Sequence, residues 1–275
     1  MRVGKLVNKA AMALMSNSCK IASPSLCSAM LHPTPNPRRS FMDDPRQLEA
    51  IFQKKQSLRS KIRKELKNMS PIQRAHEDNA IQNIVLEAPW FKSSQSLCAY
   101  VSSAALREVG TSKILAEVLC NESSEQEKQK TVYVPRVEDR FSNMKMLKIS
   151  SLNDLVLSSM DILEPPPVDS DGKEREDVMQ ACEPVDLVVL PGLAFDRSGQ
   201  RLGRNGGYYD MFLRKYEDLI KEKHWKQPLL VALAYSIQIV DEGAIGVTPN
   251  DVPVDALVSP AGFSPISPVA LKLYG

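Results

Sequence analysis

Between Pro45 and Asn68 the apolar positions Leu48, Ile51, Phe52, Leu58, Ile62 and Leu66 form a broken stripe at helical spacing. Lys54, Lys55, Arg59, Lys61, Arg63 and Lys64 occupy the other faces. Ser70-Pro71 then supplies an N-cap and a first helical residue, which predicts a second helix reaching about Glu87. Beyond it the period changes. Ser96–Ser102, Thr131–Pro135, Met144–Ile149, Val185–Leu190, Leu229–Ala234 and Ala256–Ser259 are short runs that read as strands. Helices are expected over Ser112–Leu119 and from Met211 onward, with connections over Asn121–Lys130 and Pro165–Asp177. Strands alternating with helices predict an α/β fold, a three-layer Rossmann-like architecture with a mainly parallel sheet. In such sheets ligands sit beyond the carboxyl ends of the strands. Glu108, Arg136, the segment Arg201–Asp210 and Asp251 each follow an expected strand, so one edge of the sheet is expected to gather them.

The first 42 residues break this pattern. They hold Arg2, Lys5, Lys9, Lys20, Arg38 and Arg39, no Asp or Glu, and many serines. That composition reads as an organellar transit peptide, disordered, with a mitochondrial address and a plastid as the alternative. Residues 43–275 are then expected to form a single α/β domain. With 43% hydrophobic and 25% charged residues the chain is ordinary for a globular protein. A net charge of +2 gives no reason to expect a nucleic-acid partner. The longest apolar runs are too short for a transmembrane helix, so no membrane partner is expected either. Five scattered cysteines without a C-x-x-C pair give neither a zinc site nor a disulfide framework.

The strand Val185–Leu190 leads into the segment richest in chemistry, Pro191-Gly192 through Arg201-Leu202-Gly203-Arg204-Asn205-Gly206-Gly207-Tyr208-Tyr209-Asp210. Strand, glycine loop and helix start form an arrangement that aims backbone N–H groups at phosphate. Arg201 and Arg204 add planar cationic forks suited to phosphate oxygens. Asp210 stands at the helix start as a candidate metal ligand. The loop has neither the G-x-x-x-x-G-K-[ST] spacing of a P-loop nor the G-x-G-x-x-G of dinucleotide folds.

The whole segment resembles the signature of the 5-formyltetrahydrofolate cyclo-ligase family, roughly P-G-x-x-F-D-x-x-G-x-R-x-G-x-G-x-G-Y-Y-D. The chain matches at Pro191, Gly192, Phe195, Asp196, Gly199, Arg201, Gly203, Gly207, Tyr208, Tyr209 and Asp210, and departs at Asn205, where the family has glycine. Lys55 and Arg59 resemble the family's N-terminal K-x-x-x-R, and Tyr133-Val134-Pro135-Arg136 its P-R strand end. Glu108-Val109-Gly110-Thr111 resembles its D-E-V-x-T loop, with Arg107 in place of the acidic residue. Thr248-Pro249-Asn250-Asp251-Val252-Pro253-Val254-Asp255 resembles its closing motif. The resemblance spans roughly residues 48–260.

That resemblance implies a fold related to sugar-phosphate isomerases and CoA transferases. It implies conversion of 5-formyltetrahydrofolate, free or polyglutamylated, to 5,10-methenyltetrahydrofolate with ATP and Mg2+, by a monomer. It assigns Lys55, Arg59 and Arg201 through Tyr209 (Leu202, Gly203, Arg204, Asn205, Gly206, Gly207 and Tyr208 included) to ATP. Glu108, Arg204, Asn205, Gly206, Gly207 and Tyr208 are assigned to the folate, Arg204 and Tyr208 to catalysis, and Asp210 and Asp251 to magnesium. Two alternatives stay open at this stage. A sugar-phosphate isomerase on the same fold would need neither the Lys55/Arg59 pair nor the two aspartates. A catalytically impaired folate-binding relative is the other, kept open by Asn205 and Arg107.

Overall fold

A computed structural model of the chain describes residues 45–120, 130–158 and 162–273. The expected transit peptide and nearly all of the expected connection at 121–130 lie outside the described residues. The chain begins with helices α1 (Pro45–Asn68), α2 (Pro71–Glu87) and α3 (Pro89–Lys92). Strand β1 (Ser96–Ala99), helix α4 (Ser112–Cys120) and strands β2 (Thr131–Val137), β3 (Met144–Ile149), β4 (Val156–Leu157) and β5 (Leu163–Glu164) follow. Then come β6 (Leu187–Leu190), β7 (Ala194–Asp196), β8 (Arg201–Leu202), α5 (Tyr208–Lys223), β9 (Leu229–Leu233) and β10 (Ile239–Val240). The strands β11 (Ala256–Ser259) and β12 (Gly262–Pro265) and the helix α6 (Pro268–Leu271) complete the series.

Seven strands form the central sheet in the order β12-β11-β9-β6-β1-β2-β3. The pairs from β11 to β2 are parallel, and antiparallel pairing occurs only at the two edges. The sheet is buried on both faces, which is why its strands read as continuous apolar runs. On one face Leu97, Ala99, Val132, Leu187, Val189 and Val231 pack with Ile62 and Leu66 of α1, Ile81 and Val85 of α2, and Ile114 and Leu115 of α4. On the other face Cys98, Tyr133, Val188, Leu190 and Ala232 pack with Phe212, Leu213, Tyr216 and Ile220 of α5. This is the expected three-layer α/β arrangement. Ser70 caps α2 as expected, its side chain accepting from the Gln73 amide at 3.1 Å. A cap of this kind contributes about 1 kcal/mol.

The differences from the sequence reading are local and have local causes. The first strand ends at Ala99 rather than Ser102 because side chains take over the backbone bonding. Ser102 and Thr111 exchange side chain–backbone bonds at 3.1 and 3.2 Å, and the Thr111 hydroxyl donates to the Tyr100 carbonyl. Helix α5 starts at Tyr208, three residues before the expected Met211, because Gly207 takes a left-handed conformation (φ 65°) at the N-cap. The stretch between β6 and α5 also folds into a hairpin of β7 and β8. Its turn is wrapped around the Asp196 carboxylate, which accepts from Ser198 N, Ser198 Oγ and Gln200 N at 2.6–3.0 Å, with Gly199 at φ 88°.

The sheet reverses its winding between β1 and β6. From β1 the chain moves outward to β2, whereas β6, β9 and β11 follow on the other side. Such a switch point leaves a crevice beyond the strands' carboxyl ends.

Candidate active site

A cavity of about 300 Å³ opens at that crevice. Tyr100 and Val101, just past β1, and Pro191 and Gly192, just past β6, form its floor. Pro135 and Val137 of β2, Met144 of β3, Glu164 of β5 and the preceding Ile162 form one wall. Leu106, Glu108, Arg201, Gly203, Arg204, Gly206, Gly207, Tyr208, Tyr209 and Asp210 form the other. Arg136 alternates away from the cavity, its guanidinium bonding the Pro165 carbonyl at 3.0 Å and pairing with Glu138 at 3.4 Å.

Two cations and a helix start charge the glycine-loop wall. Arg201 is buried and pairs with Asp210 at 2.7 Å, and its guanidinium lies over the Tyr209 ring. Asp210 Oδ1 also accepts from the Val252 amide at 3.2 Å. Arg204 lies 3.4 Å from Glu108 Oε1 and donates to the Leu106 carbonyl. Glu108 Oε2 accepts from the Ser103 amide at 3.1 Å. Burial pushes the Glu108 carboxyl above the usual carboxylate range, with Arg204 opposing. Burial likewise lowers Arg204, with Glu108 opposing. The Tyr209 phenol is held well above its ordinary value by burial and by the Glu108 charge. Nε of Arg201 is buried with no hydrogen-bond acceptor, and Nε of Arg204 has only its ion-pair contact with Glu108 Oε1. Unpaired buried donors are costly, so this wall is prepared for an anion.

The loop is held from two sides. Arg59 of α1 donates to the Gly203 carbonyl at 2.9 Å, and Arg63 to the Arg204 carbonyl at 2.9 Å. From the β2–β3 turn, Ser142 Oγ donates to the Gly206 carbonyl, and Tyr208 reaches back to the Asp139 carbonyl at 2.8 Å. Asn205 sits exposed between these anchors at φ 112°, a value suited to glycine. Leu202 lies beneath the loop, fully buried in the core.

The remaining expected residues stand beside the cavity. Lys55 is buried and bonds both oxygens of Asp251, at 2.6 and 2.5 Å. Asp251 Oδ2 also accepts from the Thr248 amide and hydroxyl at 2.6 and 3.0 Å. Asp251 and Asp210 are linked through one peptide, since Val252, next to Asp251, donates to Asp210. Arg107, at φ 53°, points to the end of α1, donating to the Leu66 and Lys67 carbonyls at 3.2 and 3.4 Å. Among the described residues no group of three or more His, Cys, Asp or Glu side chains gathers for a metal. The two aspartates alone suit Mg2+, which takes one or two carboxylates together with substrate phosphates. Asp210 Oδ2 makes no hydrogen bond among the described residues, whereas Oδ1 is used twice.

Glu164 was not expected at the site, and of the expected P-R strand end it is Pro135, with Val137, rather than Arg136 that lines the cavity. The signal for Glu164 was faint: a lone carboxylate between Leu163 and three prolines, in a stretch that reads as a connection.

Comparison with known proteins bears on the family and the fold. A model of the 5-formyltetrahydrofolate cyclo-ligase family matches residues 51–260. The chain is 59% identical over 226 residues to a 5-formyltetrahydrofolate cyclo-ligase, mitochondrial, of Arabidopsis thaliana, covering 82% of this chain and 81% of that protein. Its fold is similar to the solution structure of Aquifex aeolicus 5,10-methenyltetrahydrofolate synthetase. That match has a TM-score of 0.59 and 27% identity over 77% of this chain and 92% of that one. A 5,10-methenyltetrahydrofolate synthetase from Mycoplasma pneumoniae, at 20% identity and a TM-score of 0.52 over 75% and 98% of the two chains, shares the fold.

Proposed function

The chain belongs to the 5-formyltetrahydrofolate cyclo-ligase family, and from that premise we propose that it closes 5-formyltetrahydrofolate to 5,10-methenyltetrahydrofolate at the expense of ATP, in an organelle. The observation that carries this reading is the pairing of Arg204 with Glu108 on a cavity wall whose second cation, Arg201, is paired with Asp210.

The formamide oxygen of the substrate is a poor leaving group. ATP phosphorylates it and leaves as ADP, N10 attacks the activated carbon and gives up its proton, and phosphate departs with that oxygen. The protein's part is to position two substrates and to neutralise charge that moves. Arg204 serves the reacting centre: Glu108, 3.4 Å from its Nε, holds the guanidinium beside the cavity, where its charge can meet a developing phosphate oxygen. Glu108, already neutralised, holds the folate near N10. Arg201, Lys55 and Arg59 take the nucleotide phosphates, together with backbone amides of Gly203 to Tyr209. Tyr208 and Tyr209 line the cavity from the first turn of α5 and would pack on the folate. Asp210 and Asp251 would hold Mg2+, which supplies charge neutralisation for the phosphates. The acid-free, basic first 42 residues support an organellar address, and the Arabidopsis relative is named mitochondrial.

The full chain with 5-formyltetrahydrofolate and MgATP tests this reading by absorbance in the methenyl-folate band. An ATP-dependent rise, lost in Arg204→Ala, is the expected outcome. No rise with folate binding intact would favour a folate-binding relative that does not turn over.

A further inference from the structure

One carboxylate in the cavity has no task in the mechanism. Glu164 is 6% exposed and lines the β2–β3 wall. One of its oxygens accepts from the Val137 amide at 3.2 Å. Among the described residues it has no ion-pair partner, because the nearby Arg136 is engaged by Glu138 and the Pro165 carbonyl. Burial pushes its carboxyl above the usual range, and the Val137 N–H and the charge of Arg136 offset this. Glu108 is the contrast: a cavity carboxylate already matched by Arg204. Both carboxylates line the same cavity.

A buried carboxylate with no cation is costly to keep, and such groups are concentrated where a ligand is read. The cavity is thus polarised. Arg201 and Arg204 mark one side for anionic oxygens, and Glu164 marks the other for hydrogen-bond donors. Tyr100, Pro135, Val137 and Met144 supply apolar surface between them. A ligand that fits has a flat apolar body and two parallel N–H donors on its far edge. A 2-amino-4-oxopyrimidine ring has this edge in its N3–H and its exocyclic N–H, and a carboxylate meets such a pair with two oxygens. The Val137 bond does not block this, since each carboxylate oxygen has two acceptor sites.

Resting on the cyclo-ligase reading, we propose that Glu164 is the specificity residue that binds the 2-amino, N3–H edge of the reduced pterin. Glu108 is then left to the N10 side, and the folate lies across the cavity from Glu164 toward Arg204.

Calorimetric titration of the full chain, without ATP, with 5-formyltetrahydrofolate and with its 2-desamino analogue tests this. The wild type is expected to bind the analogue about 10- to 100-fold more weakly, the value of a charge-assisted pair of hydrogen bonds. Glu164→Ala is expected to lose that discrimination, binding the parent about 10- to 100-fold more weakly and the analogue nearly unchanged. Glu164→Gln, isosteric and able to keep the Val137 bond, covers the case in which the alanine variant does not fold, and is expected to lose most of the preference. Equal loss of both ligands in either folded variant would mean that Glu164 only shapes the wall, and would overturn the proposal. So would a wild type that binds both ligands alike; in that case ATP-dependent turnover of 5-formyltetrahydrofolate would leave the cyclo-ligase reading standing. A wild type that binds neither ligand would remove both.

Discussion

Lys55 and Asp251, 196 positions apart in the chain, meet in an ion pair at 2.5–2.6 Å in which the lysine is buried and the carboxylate partly so. The contact ties the first helix to the loop that carries a candidate metal ligand, and it joins the residue proposed for the ATP phosphates to one proposed for magnesium. Breaking such a pair leaves an uncompensated charge and costs about 3–5 kcal/mol. Asp251 keeps its two Thr248 donors, which places Lys55→Ala at the lower end. The expected result is a Tm lower by roughly 10 °C in thermal denaturation, together with a raised KM for ATP. A variant with unaltered Tm would show that the pair does not hold α1 to this loop.

Arg204 and Glu108 make a second prediction, with a pH signature. Burial raises the Glu108 pKa, so the folded protein binds its proton more tightly than the unfolded chain does. The associated stability is fully present below the ordinary glutamate value and is lost as pH rises through the raised folded value. Arg204→Ala removes the cation that opposes the shift, so the window widens upward. Urea unfolding between about pH 4.5 and 8 should show a steeper loss of stability with rising pH in the variant than in the wild type. The same substitution should cost about 10²- to 10³-fold in kcat if the guanidinium stabilises the transferred phosphoryl group. Parallel pH curves for the two proteins would remove the electrostatic link between these residues.

Asn205 carries a third. Its φ of 112° lies outside the left-handed helical region that asparagine tolerates best, and glycine has no such penalty. Asn205→Gly is expected to raise stability by up to about 1 kcal/mol and to leave kcat within a few-fold. Gly206→Ala is the opposing control. A Cβ there would come within 2.4 Å of the Tyr208 ring, which must move out of the cavity wall. Activity should fall more than stability does. An Asn205→Gly protein that is less stable would mean that the amide, not the backbone, holds this turn.

Much of this site was legible in the chain because its chemistry is compressed into one segment. Arg201, Arg204, Tyr208, Tyr209 and Asp210 lie within ten residues, and glycine spacing carries the geometry. The apolar runs gave the parallel strands because both faces of the sheet are covered. What the sequence hid is long-range. Nothing in Leu163-Glu164-Pro165 announces that β5 lies against the end of β2. The pairing of Lys55 with Asp251 rather than with solvent depends on the fold's closure. The hairpin of β7 and β8 was missed because its strands are two and three residues long and its turn is built on the Asp196 side chain, not on an apolar period. Arg107, which reads as a replaced acidic residue of the folate loop, acts on the end of α1.

The two candidate magnesium ligands make the last prediction. Asp210 is paired with Arg201 and Asp251 with Lys55, so each carboxylate already has a cation before any ligand arrives. Mg2+ alone must compete with both pairs, and the cost of displacing a buried ammonium or guanidinium opposes it. Nucleotide phosphates change that balance, since Lys55 and Arg201 are the groups that would move toward them. Metal and nucleotide should therefore bind with positive coupling, each tightening the other by the same factor. Titration of the full chain with Mg2+, with and without a non-hydrolysable ATP analogue, should show weak binding alone and at least about tenfold tighter apparent binding with the nucleotide, after correction for the metal bound by free nucleotide. Asp210→Asn should abolish the coupling while leaving the Lys55–Asp251 pair in place. Equal metal affinity in both titrations would show that the carboxylates are not held by their cations, and that magnesium occupies a site the two aspartates do not form.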